Sequence, residues 1–268
     1  MKIPSFLFLV MFTLFPFRGV GQIQLEFIEK TSLKADLFIG IDEFKATYFI
    51  RNNALIKETE DNVLSFQQNQ LGEISSVDIR NPLKIVVFYR DYNTVVLLDN
   101  KLNVLAAPIN FSVEELGQNI GLVNLALANQ LWLYSTDENR LHLWDYQTKK
   151  ITFSSKPLSF LKKSNFQPTQ QLSTATDIYL TDQKGFLKFN KYAQFESSLN
   201  FNEFSKIVRL ADSFIYLKNN RLYHQTLTEA PTDLAVRPYV KVKNFYANHG
   251  YLYIFDGESI FTFKITKI

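Results

Sequence analysis

Beyond the first 21 residues, short apolar runs alternate with short polar turns, and the alternation repeats along the chain. Each repeat has a run rich in Val, Ile, Leu, Phe and Tyr, then a turn that begins at Asn or Asp, then a second apolar run. Such runs are typical of β-strands, and Asn and Asp favour the turns because their short side chains bond nearby backbone amides. The turns begin at Asn52, Asp91, Asp137, Asp182, Asn219 and Asp256. Successive turns are 39, 46, 45, 37 and 37 residues apart, so the repeat length is about 41 residues.

A second polar position supports the same register. Eight residues after four of the turns stand Glu60, Asp99, Asp145 and Asn190. The runs at 141–145 and 186–190 alternate with period two, as half-buried strands do, whereas helical periodicity is confined to short segments near 112–118 and 158–164. When the apolar runs on both sides of each turn are assigned as strands, the sequence predicts four strands per repeat. In the third repeat they are predicted at 122–128, 130–135, 140–146 and 150–155.

Four antiparallel strands that recur about every 40 residues resemble the blades of a β-propeller. The sequence therefore predicts an all-β fold, a single propeller of six four-stranded blades; seven blades would require a further repeat. The last repeat has only three predicted strands, near 240–247, 251–255 and 259–265, while residues 23–29 form a spare strand before the first repeat. We predict that this N-terminal strand pairs with the last blade and closes the ring, which removes unpaired edges.

The signatures of well-known propeller families are missing. Trp144-Asp145 is similar to the dipeptide of WD40 repeats, but it occurs once and no Gly-His precedes it. In its export signal and repeat architecture the chain resembles the propeller subunit of the bacterial outer-membrane β-barrel assembly machinery. That subunit is a lipoprotein with eight blades, whereas this chain has fewer repeats and no Cys. The resemblance is one of architecture and implies a role in an envelope assembly by analogy.

The first residues read as an export signal. Lys2 is followed by an apolar stretch at 6–17, and Gly19-Val20-Gly21 places small residues before Gln22. This pattern predicts a secretory signal peptide at 1–21 and a mature propeller domain at 22–268. The alternative, an uncleaved anchor, would need about 20 apolar residues to span a bilayer. We expect an exported protein without a transmembrane segment in the mature chain. The periplasm is the expected location, with the cell surface and the extracellular space as alternatives.

The composition of the chain excludes several classes of protein and of functional site. A hydrophobic content of 46% excludes a disordered chain. The absence of Cys excludes disulfides, thiolate metal sites, a cysteine nucleophile and a lipid anchor at cysteine. The formal charge of +3 falls to +1 once Lys2 and Arg18 are removed with the signal. Such a small charge predicts no nucleic-acid partner.

The sequence shows no recognised catalytic motif. His142, His224 and His249 are too far apart for a zinc motif, and phosphate-binding, dinucleotide-binding and nucleophile-elbow motifs do not occur. The acidic turns lack the spacing of a calcium loop. We therefore predict no catalytic residue, no cofactor and no metal. The alternative is a secreted carbohydrate-active or other hydrolytic or lyase enzyme whose carboxylates converge from different blades at the central channel.

Strand parity indicates which face binds partners. In a four-stranded blade, the turn between the second and third strands opens on the same face as the connection to the next blade. Loops on a rigid scaffold commonly carry binding residues, and exposed aromatic residues beside Arg or Lys are typical of binding surfaces. The aromatic residues predicted outside strands are Tyr92, Phe160, Phe166, Phe201 and Tyr239. The candidate partner-binding residues are Arg51, Arg90, Tyr92, Arg140, Lys184, Lys218 and Arg221. The leading hypothesis is a non-enzymatic scaffold that binds protein partners in an envelope or outer-membrane complex.

Overall fold

The computed structural model describes residues 23–114, 119–161, 166–201 and 203–267. Within these ranges, 24 strands form six four-stranded antiparallel sheets, which are the blades of a propeller. The predicted fold class and blade number are thus confirmed. The predicted signal peptide at 1–21 lies outside the described residues.

In each of the first five blades the strands follow one another in sequence, and the first strand lies at the centre. The first blade contains β2 (Leu37–Ile41), β3 (Thr47–Arg51), β4 (Ala54–Glu58) and β5 (Val63–Phe66). The second contains β6 (Ser76–Asp78), β7 (Ile85–Tyr89), β8 (Thr94–Leu98) and β9 (Ile109–Asn110). The third contains β10 (Ile120–Leu125), β11 (Gln130–Ser135), β12 (Arg140–Asp145) and β13 (Lys150–Ser154). The four strands predicted for the third repeat are confirmed, with ends displaced by no more than three residues.

The fourth and fifth blades have the same arrangement, with one short helix before the fourth. The helix is α1 (Leu158–Leu161). The fourth blade contains β14 (Gln170–Ser173), β15 (Asp177–Thr181), β16 (Gly185–Asn190) and β17 (Phe195–Asn200). The fifth contains β18 (Lys206–Leu210), β19 (Ser213–Lys218), β20 (Arg221–Thr226) and β21 (Thr232–Asp233). A single 3-10 turn, Asn69–Leu71, precedes β6.

The sixth blade joins the two ends of the chain. It contains β22 (Asn244–Asn248), β23 (Tyr251–Phe255), β24 (Ser259–Lys267) and, as its outer strand, β1 (Ile23–Ser32). Strand β1 pairs antiparallel with β24 over its whole length, with a bulge between Phe27 and Glu29. The predicted closure is confirmed, and the closing strand extends beyond residue 29 to Ser32.

Apolar side chains fill the spaces between neighbouring blades. Between the fourth and fifth blades, Phe186 lies at ring-centroid distances of 5.1 Å from Tyr179 and 5.0 Å from Phe214. Phe201 joins this cluster, and Phe166 lies in the cluster between the third and fourth blades. Both aromatic residues lie outside strands, as predicted, yet they are 7% and 3% exposed. They are core residues and not part of a binding surface.

The turns between second and third strands rely on Asn and Asp. Asn52, Asn53, Asn219 and Asn220 have positive φ angles of 49–59°, a region that Asn tolerates better than most residues. In the last blade, the Asp256 carboxylate accepts hydrogen bonds of 2.8 Å from two following backbone amides. This turn chemistry explains why a propeller of this size needs only 9 Gly.

Candidate functional site

One face of the disc collects the turns between second and third strands together with the connections between blades. We call it the turn face. Its turns are residues 52–53, 90–93, 136–139, 182–184, 219–220 and 256–258, and its principal described connections are 33–36, 67–75, 155–161, 166–169 and 234–243. Three aromatic side chains on it are exposed: Tyr92 at 51%, Phe160 at 81% and Tyr239 at 76%. Strand parity therefore predicted correctly which loops share a face.

The structure brings three of the predicted binding residues into one neighbourhood. Arg90 and Tyr92 share the turn of the second blade, and the Tyr92 ring covers Gly72, where a Cβ atom would lie 3.2 Å from the ring. Gly72 has a positive φ of 71°, so this connection requires glycine for its backbone as well as its space. Asn53 Nδ2 donates to the Gly72 carbonyl at 2.8 Å, which draws the turn after Arg51 alongside.

The other predicted residues lie elsewhere on the ring. Lys218 and Arg221 flank the turn of the fifth blade, where Asn220 Nδ2 bonds the Tyr239 hydroxyl at 2.6 Å. Arg221 lies 3.4 Å from Asp233. Arg140 begins β12, with its Nε 3.8 Å from Glu138, and Lys184 is exposed on the fourth blade. The seven residues thus form two neighbourhoods and two separate positions rather than a single site.

A cavity of about 280 Å³ lies at the mouth of the central channel. Its wall contains residues from all six blades, mostly from the first strands. Arg90, in a turn of the turn face, also lines it, so the cavity extends to that face. We call it the mouth cavity. Sequence reasoning identified only Arg90 among the polar residues that line it. The polar lining residues it missed are Ser75, Ser76, Asp78, Asn124, Thr169, Gln170, Gln171, Lys206 and Asn244.

Lys206, the first residue of β18, provides a half-buried positive charge in the mouth cavity. Its Nζ donates to the side-chain oxygen of Asn244 and lies 5.7 Å from the centre of the Phe245 ring. Burial lowers the pKa of Lys206 to about 8. No carboxylate pairs with it among the residues that the structure describes. The site therefore has a cation whose protein partners are neutral.

Two adjacent glutamines on β14 differ in how their amides are used. Gln170 Nε2 donates to the Ile207 carbonyl at 2.8 Å and so ties the fourth blade to the fifth. Gln171 is 6% exposed, and neither its Nε2 nor its Oε1 has a hydrogen-bond partner in the described part of the chain. Buried side-chain amides are normally paired, so Gln171 is an exception, and its two amide atoms are closed off from solvent behind the cavity wall.

The far end of the channel is spanned by an ion pair. Arg80 Nε donates to Asp78 Oδ1 at 2.8 Å, and Nη2 reaches the carbonyl of Leu125 at 2.7 Å. Arg80 Nη1 donates to the carbonyl of Ser173, so this one side chain connects the second, third and fourth blades. The Asp78 side chain is only 4% exposed, and its Oδ2 also accepts from Asn124 Nδ2 at 3.1 Å.

This ion pair is electrostatically satisfied. Burial alone would raise the pKa of Asp78, but the Arg80 charge and hydrogen bonds from Arg80 and the Leu125 amide outweigh burial and lower it. Tyr246 of the sixth blade lies at the same end, and its ring packs against Gly40, where a Cβ atom would lie only 2.8 Å away. The channel is therefore polar at its mouth and filled at its far end.

The candidates for enzyme chemistry do not converge in the described structure. The one carboxylate that lines the mouth cavity is Asp78, and Arg80 holds it. The three histidines lie apart: His142 and His224 are buried in strands, and His249 is in a turn. Over the described residues, no group of three His, Cys, Asp or Glu side chains could hold a metal ion. Those residues likewise contain no helix long and apolar enough to cross a membrane.

The opposite face differs in character. Three successive turns between first and second strands there carry exposed apolar side chains, Phe44, Leu83 and Leu127, which are 68%, 62% and 57% exposed. A smaller cavity of about 90 Å³ lies beside the first two of these turns. Sequence reasoning did not identify these residues as exposed, and they provide comparison positions for experiments on the turn face.

Comparisons with known proteins identify the fold. No protein-family model and no curated protein matches the chain. Among solved structures, virginiamycin B lyase from Staphylococcus aureus is 11% identical with a TM-score of 0.59, over 85% of this chain and 79% of that one. The β-propeller domain of Cps50 (Swd1) from Myceliophteria thermophila is 11% identical with a TM-score of 0.58, over 90% and 100%. BBS1N, solved in complex with ARL6DN, is 9% identical with a TM-score of 0.55, over 85% and 77%. The similar structures thus include a lyase and a protein-bound domain, and what this chain shares with them is the β-propeller fold.

Proposed function

We propose that this chain is an exported, non-enzymatic β-propeller that binds a protein partner on its turn face and serves as a scaffold in a cell-envelope assembly of the outer membrane. The observation that carries the proposal is the different use of acidic and basic side chains on that face. Four acidic groups of the face bond backbone amides, namely Asp36, Asp137, Asp182 and Asp256. Two basic groups, Arg90 and Lys218, belong to turns that hold exposed tyrosines.

The acidic side chains of the turn face mainly hold its backbone. Asp36 Oδ2 accepts from the Asn52 amide at 2.7 Å, Asp137 Oδ2 accepts from the Asn119 amide at 2.8 Å, and Asp256 caps its own turn. By contrast, Arg51, Arg90, Lys184 and Lys218 form no ion pair among the described residues. The face can therefore attract an acidic partner without first breaking internal pairs.

Exposed tyrosines accompany two of these basic groups. Tyr92 lies in the same turn as Arg90, and Tyr239 is bonded to the turn between Lys218 and Arg221. Tyr and Arg are enriched among residues that dominate binding energy at interfaces. Since Gly72 and Asn220 hold the two rings in place, little side-chain entropy is lost when a partner covers them. We expect a partner surface that is acidic with apolar patches.

The enzyme alternative requires carboxylates that converge on the channel. Asp78 is held by Arg80 inside a multi-blade hydrogen-bond network, so it serves the structure of the channel end. No specific observation favours a second candidate function.

The test of partner binding uses two double variants, Arg51→Glu/Tyr92→Ala and Lys218→Glu/Arg221→Glu, purified with the wild-type protein and used as bait in crosslinked envelope extract. We expect recovery of a reproducible partner to fall at least tenfold in one of them, with the melting temperature within about 2 °C of wild type. The matched control is Lys101→Glu/Phe44→Ser on the opposite face, which should keep full recovery. Recovery of the partner at the wild-type level by both turn-face variants would contradict the proposal.

Export is tested separately on the full-length chain. Expression with the native N-terminus, followed by intact mass of the protein in the periplasmic fraction, should show a chain that begins at Gln22. A full-length mass in the cytoplasmic fraction would contradict export while leaving the binding face open to test.

A further inference from the structure

We propose that the mouth cavity is a binding site for a small organic molecule that carries a carboxylate, with Lys206 as the residue that pairs with the negative charge. The site goes beyond the proposed function, because it lies inside the channel mouth and binds a small molecule; of the candidate partner-binding residues it shares only Arg90, at its rim.

The charge balance of the cavity favours an anion. Lys206 faces the neutral oxygen of Asn244, and Arg90 adds a second positive group at the rim. The negative group in the wall, Asp78, is already neutralised by Arg80 at close range. A half-buried cation without a counter-charge is partly desolvated at a cost in free energy, and a bound carboxylate would supply the missing partner.

Gln171 contributes to the wall of the cavity but not to its polar surface. The residue is 6% exposed, and neither atom of its amide has accessible surface. Lys206 is therefore the residue of the wall that offers a charged donor to a bound carboxylate.

The dimensions limit the size of the ligand. The volume of about 280 Å³ is at the lower end of the range for small-molecule pockets, roughly 300–1,000 Å³. It suits a hydroxy acid or a single sugar acid. A lysine whose nearest protein partner is a neutral amide matches the single negative charge of a carboxylate. The shared chemistry is thus a carboxylate, which a free acid or an acidic side chain of a bound protein could present.

The experiment follows Lys206 directly by NMR of protein labelled with ¹³C at the lysine side chains. The probes are glycolate and D-glucuronate, each with its uncharged counterpart, ethylene glycol and D-glucose, and a blocked tripeptide with a central Glu represents a protein-borne carboxylate. We expect saturable shifts at the Lys206 signal from an acid and none from its uncharged counterpart. Binding of an acid identifies a free ligand, and binding of the peptide alone identifies a protein-borne carboxylate.

A variant tests the role of Lys206. Lys206→Met should weaken binding of the acid at least tenfold, which corresponds to about 1.4 kcal/mol. The matched control, Lys101→Met, changes an exposed lysine of the opposite face and should leave affinity unchanged. Affinity unchanged in Lys206→Met, or equal binding of D-glucose and D-glucuronate, would overturn the proposal.

A pH series tests the site without any variant. Since burial lowers the pKa of Lys206 to about 8, affinity for the acid should fall as the pH rises from 7 to 9.5. The other charged or titratable groups near the cavity and channel keep their state in this range. Arginine stays protonated, the Arg80 pair holds the pKa of Asp78 below its usual value, and burial raises the pKa of Tyr246. No probe binding at pH 7, or affinity independent of pH over this range, would also overturn the proposal.

Discussion

Replacement of Lys206 by Met should stabilise the protein, and the gain should depend on pH in a defined way. A fall in pKa from 10.5 to about 8 means that the protonated amine is disfavoured in the folded chain. At about 1.4 kcal/mol per pKa unit, the penalty near neutral pH is roughly 3 kcal/mol. Met keeps the length of the side chain and its contact with Phe245, but loses the hydrogen bond to Asn244, worth about 1 kcal/mol. The net gain expected at pH 7 is therefore about 2 kcal/mol.

The sign of the pH dependence follows from proton binding. Between pH 8 and 10.5 the unfolded chain binds more protons at Lys206 than the folded chain does, so the free energy of unfolding of the wild type rises with pH. The variant lacks this rise. Its advantage should be full below pH 8 and should shrink as the pH approaches 10.5.

The assay is urea unfolding of both proteins at several pH values between 6.5 and 10, with Lys184→Met as the exposed control. The control should stay within about 0.5 kcal/mol of wild type at every pH. A Lys206→Met variant that is no more stable at pH 7, or whose advantage is the same at pH 7 and pH 10, would refute the reasoning that a half-buried charge is unpaired here.

Two further predictions concern the ion pair and the ring closure. Arg80→Met should lower the free energy of unfolding by about 3–5 kcal/mol, because it leaves the Asp78 carboxylate buried without its charged partner. This loss should shrink at acid pH, where the carboxyl is protonated. In urea unfolding, the double variant Arg80→Met/Asp78→Asn should recover part of the lost free energy. A disulfide between cysteines at Glu26 and Lys264, which are exposed partners across β1 and β24, should raise stability by up to about 5 kcal/mol on the chain-entropy estimate for a loop of about 240 residues. Identical melting of its oxidised and reduced forms would contradict closure at this seam.

The fold was predictable because its signals are local and repeated. The turns at Asp182 and Asp256 are specified by side-chain bonds to nearby backbone amides, and those at 52–53 and 219–220 by asparagines with positive φ. These short-range preferences mark the turns in the sequence. Ring closure followed from the count of strands: the last repeat lacked one and the N-terminus had one to spare. Strand β1 extends past the predicted end because its pairing with β24 continues to Ser259.

The mouth cavity could not be predicted in the same way, because its residues come together only when the ring closes. In sequence, Lys206 begins an apolar strand and reads as an ordinary exposed strand end. Gln171 likewise reads as one polar residue among several before β15. An alignment of the six repeats with one another would have offered a partial signal, since Ser76, Gln170, Lys206 and Asn244 all stand at or near the start of a first strand.

The charged side chains at the two ends of the channel differ in whether they are paired with an opposite charge, and the difference bears on function. At the far end, Asp78 and Arg80 satisfy each other and three blades share the hydrogen bonds, so that charge supports the structure. At the mouth, Lys206 has no charged partner in the described chain, and a methionine there would make the fold more stable. Positions where a sequence departs from the most stable choice are expected at functional sites. Lys206 is such a position, since the fold does not require its charge and an acid bound in the mouth cavity would.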